Sequence, residues 1–244
     1  MQMWRFLAPS ALGFTSRNMW HALVDRATGA PPRALRAMEH VAAHAEQGNP
    51  QDVLKRLDEF ATSVRWMMSI GPEKDKVIAE ARARLDGDPR VLELGAYAGY
   101  SSIYMADVLG PRTSITSVEV SADNVRAARG NIEHAGLAER IEVVHGSSSD
   151  VIPNLEGIFD LVFLDHWKDL YLKDLQLLEE HELIGPGSVV VADNVGELFG
   201  ADVYLNYVRN CGRYDSTNRP ATIEYTSLPD AVEISVYRGG GAGG

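Results

Sequence analysis

Apolar residues recur along this chain with two different periods. In residues 33–47 and 51–66 they fall at helical spacing. Leu35, Met38, Val41 and Ala42 form one stripe; Val53, Leu54, Leu57 and Phe60 form another. Gly48-Asn49-Pro50 breaks the two apart. A third helix is predicted from Glu73 to Leu85. From Arg90 onward short apolar runs alternate with helical segments. Strands are predicted at 90–94, 114–118, 141–145, 159–164 and 188–192, and helices at 101–109, 122–135, 150–155, 170–182 and 201–210. That alternation predicts an α/β fold with a parallel sheet and right-handed crossovers. Two closing runs, 221–226 and 231–237, have only a Leu228-Pro229-Asp230 turn between them, which predicts an antiparallel hairpin at one sheet edge.

Two of the strands run straight into polar chemistry. Phe159-Asp-Leu-Val-Phe-Leu leads to Asp165-His166-Trp167-Lys168, and Val189-Val-Val-Ala leads to Asp193-Asn194. Ligands of open α/β sheets bind beyond the carboxyl ends of the strands. Asp165, Asp193 and Asn194 should therefore share one rim with Lys168 close by, a set of hard oxygens that suggests a metal-assisted site. The first strand enters Glu93-Leu-Gly95-Ala-Tyr97-Ala-Gly99-Tyr-Ser101. Its glycines allow a tight strand-to-helix turn and close approach of a ligand. The run has neither the paired glycines of a dinucleotide fingerprint nor the Gly-Lys-Ser/Thr ending of a phosphate loop. A nucleoside without pyrophosphate fits better, and a nicotinamide dehydrogenase is disfavoured. Glu119, ending the second strand, can accept hydrogen bonds from ribose hydroxyls. Gly146-Ser-Ser148-Ser149-Asp150, after the third, offers hydroxyls to a base edge.

Composition narrows the partners. The chain of 244 residues fits one α/β domain with extensions or two very small domains. A formal net charge of −11 repels phosphate backbones, so a nucleic-acid partner is disfavoured. Cys211 is the only cysteine, which excludes an intrachain disulfide and suits a reducing cytoplasm. No run approaches the roughly 20 apolar residues of a membrane span. The organisation expected is an N-terminal arm over 1–32, a single domain over 33–238 with helices at 33–85 and a core at 90–238, and a flexible tail over 239–244.

Leu92-Glu-Leu-Gly-Ala-Tyr-Ala-Gly-Tyr-Ser101, Val162-Phe-Leu-Asp-His-Trp-Lys-Asp169 and Ala192-Asp-Asn-Val195 together resemble the catechol O-methyltransferase family. The resemblance covers all but about the first 30 residues and the last few. It implies a Rossmann-like class I methyltransferase fold: a seven-stranded mixed sheet with one antiparallel strand, helices on both faces and extra N-terminal helices. It implies S-adenosylmethionine as methyl donor, Mg²⁺ as metal, and a small catechol as acceptor, in a chain that is monomeric by expectation. By position, Gly95, Tyr97 and Ser101 would hold the methionine part of the donor, with Ile70 and Glu93 beside them. Glu119 would hold the ribose. Val120, Ser148, Ser149, His166 and Trp167 would surround the adenine, with Asp165 also touching donor and acceptor. Asp165, Asp193 and Asn194 would ligate Mg²⁺. Lys168 would be the general base, and Glu224 would bond the hydroxyl that is not methylated. Trp66, Met68, Trp167, Leu198, Ile223 and Asn194 would border the acceptor. Ser149 stands where a glutamine is usual and Leu198 where a proline is usual, which bears on adenine contact and acceptor identity.

Mg²⁺ prefers six oxygens. Three from the chain leave room for two adjacent hydroxyls and a water, a fit to an ortho-diphenol. The rival readings are an O-methyltransferase for another vicinal diol and a non-catalytic S-adenosylmethionine-binding module. The module has no need of the metal ligands or Lys168, and both are present.

Overall fold

The computed structural model describes residues 12–71 and 75–240. The first residues of the expected arm (1–11), the start of the third predicted helix at Glu73, and the end of the tail (241–244) lie outside the described residues. Four helices come first: α1 (Leu12–Thr28), α2 (Arg33–His44), α3 (Pro50–Ser63) and α4 (Asp75–Arg82). Then β1 (Arg90–Leu94), α5 (Tyr100–Val108), β2 (Ser114–Glu119), α6 (Ala122–His134), β3 (Ile141–His145), a single turn α7 (Ser148–Val151), β4 (Leu161–Leu164), α8 (Tyr171–Glu180), β5 (Val189–Ala192) and α9 (Asp202–Asn210) alternate. β6 (Tyr214–Thr222) and β7 (Pro229–Tyr237) close the chain. No described helix is long and apolar enough to cross a membrane.

The seven strands lie in the order β3-β2-β1-β4-β5-β7-β6, all parallel except β7. Alternate residues of each central strand enter opposite cores. Val91, Leu161, Phe163, Val189 and Val191 pack under the first helices, α5 and α6. Leu92, Leu94, Val162, Leu164, Val190 and Ala192 pack under α8 and α9. A strand buried on both faces has no side on which to carry a polar residue, so polar side chains collect at strand ends. Glu93 is an exception. It is fully buried on the first face and accepts hydrogen bonds from Ser101, Ser102 and Ser117. Burial pushes its carboxyl up, against those hydroxyls.

One expectation is corrected, and one is given detail. The penultimate strand is Tyr214–Thr222, not 221–226. At Ile223 the chain leaves the sheet, with Ile223 N–H on the Leu228 carbonyl and Thr226 N–H on the Ile223 carbonyl. Residues 214–222 are polar and half-exposed because they form an edge strand, where Pro220 is tolerated. The expected arm contains α1, none of whose residues is buried. Its weak apolar face hides it from a search by periodicity. Asp25 fastens it, accepting bonds from Arg65 (3.1 Å) and Arg36 (3.3 Å) with Arg33 at 3.7 Å, and Phe14 packs edge-on against Trp66 with ring centres 4.9 Å apart.

Burial opposes the charge on Asp25, but the Arg65 hydrogen bonds and the charges of Arg65, Arg36 and Arg33 outweigh it and depress its pKa. A depressed carboxylate stabilises the fold above its unfolded pKa and loses that contribution as pH falls through the folded one. Asp25→Ala should therefore speed amide exchange in α1 by about tenfold, with global melting moved by only a few degrees. The wild type should lose α1 protection below about pH 4. Unchanged α1 protection in the variant would refute the clamp.

Candidate active site

A cavity of about 540 Å³ opens where β1, β2, β3 and β4 end. Gly95 forms its floor between β1 and β4. With φ at 109°, it lies so close to β4 that a Cβ would stand 2.6 Å from the Asp165 carbonyl oxygen. No other residue fits there.

On one side stand Tyr97, Glu119, Val120, Ser148 and His166, all lining the cavity as the sequence predicted. Glu119 accepts the Tyr97 N–H at 2.9 Å and the Ser121 N–H at 2.8 Å. A carboxylate has about four lone-pair sites, so two remain for a ligand once the backbone has fixed its orientation. Burial pushes the Tyr97 phenol up to about 12, which keeps it neutral. His166 Nε2 lies 2.8 Å from Asp174, a buried carboxylate that also receives the hydroxyls of Ser148 and Ser149. Burial opposes the charge on Asp174, but His166 and the two serines hold its pKa down. Burial in turn lowers His166. A neutral imidazole donating to a charged Asp174 follows. Ser149 is thus committed to Asp174 at 2.6 Å and does not line the cavity. Ile70, Glu93 and Ser101 are buried and do not line it either.

On the other side Trp66, Met68, Asp165, Trp167 and Lys168 line the cavity. Lys168 is 7% exposed, and its ammonium is tied three ways: to Tyr171 Oη (2.7 Å), Asp165 Oδ1 (3.2 Å) and Asn194 Oδ1 (3.3 Å). The Tyr171 hydroxyl lies within 2.7 Å of the Leu164 carbonyl and 3.0 Å of the Asp193 carbonyl. Burial, with Asp165 and Asp193 nearby, raises the Tyr171 pKa well above its usual value. The phenol therefore accepts from Lys168 and donates to the backbone. Asp193 and Asn194 follow β5 directly and are buried. Asn194 sits in the left-handed region with φ at 50°, a conformation asparagine tolerates better than most residues. Glu224 reaches the same place from the 223–228 turn, whose Glu224 carbonyl accepts the Trp66 indole N–H at 2.9 Å. Oxygens of Asp193, Glu224 and Asp230, all buried, lie within 4.8 Å of one another. Ile223 and Leu198 pack in a small apolar cluster with Trp66 and Phe199, and of these Trp66 and Phe199 line the cavity.

Asp165 meets the Lys168 ammonium, and Asp193, Glu224 and Asp230 form a buried carboxylate cluster joined to it through Asn194. Buried carboxylates are costly without compensating charge. The donor set is carboxylate and amide oxygen, with no thiolate, which suits a hard divalent cation such as Mg²⁺.

Sequence reasoning missed Tyr171, Asp174, Phe199 and Asp230. Tyr171 and Asp174 lie in the first turn of α8, about one and two helical turns beyond Lys168, and that spacing could have flagged them. Asp230 was read only as a turn residue.

The O-methyltransferase family matches residues 43–203. Catechol O-methyltransferase B of Danio rerio is 38% identical over 248 residues, covering 97% of this chain and 93% of its own. Catechol O-methyltransferase of Mus musculus is 38% identical over 216 residues, covering 85% of this chain and 79% of its own. Among solved structures, cofactor-bound Rv0187 from MTB superposes with a TM-score of 0.65 at 26% identity, covering 91% of this chain and 97% of its own. The O-methyltransferase from Bacillus cereus in complex with SAH gives 0.64 at 21%, covering 78% and 90%, and shares the fold. The fold and these relatives agree: the chain belongs to the O-methyltransferase family and is an S-adenosylmethionine-dependent methyltransferase similar to the catechol O-methyltransferases.

Proposed function

We propose that this protein methylates one hydroxyl of a catechol, with S-adenosylmethionine as donor and Mg²⁺ as resident metal. The observation that carries the reading is the pairing within one cavity of Glu119, fixed by two backbone N–H groups, with Asp165 and Lys168 across the Gly95 floor, the Lys168 ammonium reaching behind them to Asn194. Glu119 would receive the ribose hydroxyls. Tyr97 and Gly95 would border the methionine part, and His166, Trp167, Val120 and Ser148 the adenine. Asp165, Asp193 and Asn194 would hold Mg²⁺, which would supply Lewis-acid charge at the acceptor and lower the pKa of the hydroxyl to be methylated.

Lys168, once it has given up a proton and stands as the neutral amine, would receive the proton of the reacting hydroxyl at Nζ. The oxygen forms its bond to the methyl carbon as the carbon–sulfur bond breaks, leaving S-adenosylhomocysteine. Glu224 would accept a hydrogen bond from the second hydroxyl and set the ring's rotation. Trp66, Met68 and Trp167 would hold the ring flat so that oxygen, carbon and sulfur align. Such alignment can supply about 7–11 kcal/mol.

Incubation with S-adenosylmethionine, Mg²⁺ and a dihydroxybenzoate should yield a product heavier by one methylene in mass spectrometry. The yield should collapse with a chelator, and a monophenol should give none. Absence of product across several catechols would sink the catechol reading. Lys168→Ala should lower kcat by about 10²–10⁴ while donor affinity by calorimetry stays within about twofold. Loss of donor binding instead would assign Lys168 to the cofactor half. Glu119→Gln should do the converse, weakening donor affinity by about tenfold or more and leaving metal affinity unchanged.

A further inference from the structure

Asn194 can serve a cation only through its amide oxygen. An amide turned over presents its NH₂ group and repels the ion. Something must choose between the two, and the neighbours of Asn194 do. Asp230 Oδ2 accepts from Asn194 Nδ2 at 2.8 Å. Asp230 Oδ1 accepts the Gly196 N–H at 3.2 Å. The opposite end of the amide, Oδ1, faces the Lys168 ammonium at 3.3 Å, the same ammonium that bonds Asp165 Oδ1 at 3.2 Å. The donor end of Asn194 is thus fixed on a carboxylate and its oxygen is turned toward the cation-binding carboxylates.

The surroundings leave little play. Asp230 is 6% exposed and Asn194 fully buried. The backbones approach so closely that a Cβ on Gly196 would stand 2.8 Å from the Asp230 Cα. Val195 N–H bonds the Ala231 carbonyl at 2.9 Å, continuing the contact between the loop after β5 and the start of β7. The task requires two acceptors and no donor on one short side chain, which aspartate alone provides. Asp230 also lies within 4.8 Å of Asp193 and Glu224. Its two oxygens are nevertheless each engaged by a donor of the loop it supports, which marks it as support for a ligand.

We propose that Asp230 is a positioning residue: it holds the loop after β5 and turns the Asn194 oxygen toward the metal. The proposal rests on the Mg²⁺ reading above. It is tested on the full chain by titrating free Mn²⁺ by electron paramagnetic resonance, with S-adenosylmethionine affinity and melting temperature measured in parallel. In Asp230→Asn one donor faces another donor, so Mn²⁺ affinity should fall by about 10–100-fold. Donor affinity should stay within about twofold. Asp230→Ala should fall further in the same direction. Asn194→Gly, which keeps a positive φ accessible, should weaken Mn²⁺ by itself, and adding Asp230→Asn to it should cost no further affinity, because the two act as a unit. Equal Mn²⁺ affinity in wild type and Asp230→Asn would overturn the positioning role alone. Full additivity with Asn194→Gly would overturn it too, by making Asp230 a ligand in its own right. No Mn²⁺ binding by the wild type would overturn the metal reading and this proposal with it.

Discussion

The contact between Gly95 and the carbonyl of Asp165 joins the two halves of the site. β1 and β4 are neighbours in space although β2 and β3 lie between them in sequence. Their ends diverge into loops carrying different chemistry, a nucleoside turn from one and carboxylate and lysine from the other. A glycine at 95 lets these backbones touch, so whatever binds on one side is within bonding reach of whatever binds on the other. Methyl transfer needs such proximity, because its barrier falls chiefly through alignment of the reactants. The β-sheet supplies this without a moving part, since both strands are hydrogen-bonded along their length.

Charge is handled differently on the two sides of that contact. On the nucleoside side each carboxylate is satisfied by donors of the chain: Glu119 by backbone N–H groups, Asp174 by His166 and two serines, Glu93 by three serines. Those groups are braces with fixed orientation. On the other side Asp165 meets the Lys168 ammonium, while Asp193, Glu224 and Asp230 bring buried carboxylate oxygens within 4.8 Å of one another. Positive charge offsets repulsion among buried carboxylates, so this half would suit a cation, whereas the other is braced by dipoles.

This division explains what could be read from the sequence. The strands, the glycine turn, Glu119, Asp165, Lys168, Asp193 and Asn194 are legible because each sits at a fixed offset from an apolar run, and an apolar run is visible without knowing what packs on it. β6 is not, because an edge strand buries too little to alternate clearly. α1 escapes because four charged residues and one ring pair, not an apolar stripe, hold it. Asp230 escapes because its partners lie across the sheet in the loop after β5, and nothing local distinguishes a turn aspartate from a brace. Ser149, which stands where a glutamine is usual, bonds Asp174 and does not line the cavity, and nothing local to it in the sequence signals that partner.

The residues that would do chemistry and those that would choose the acceptor are segregated in the same way. Asp165, Lys168, Asp193 and Asn194 follow directly from β4 and β5, the most buried strands of the sheet. Their spacing is set by backbone pairing. Trp66 and Phe199 line the cavity and pack with Phe14, Leu198 and Ile223, a cluster drawn from a surface helix and three loops. Trp66 is held by an indole bond to the Glu224 carbonyl and by Arg33 on its own carbonyl at 3.1 Å. Loops tolerate change that strands do not. Substitution at 198 or 199 can therefore alter the shape offered to the ring without shifting the oxygens that would hold the metal. Leu198 stands in such a loop, apart from the strands that set the spacing of Asp165, Lys168, Asp193 and Asn194.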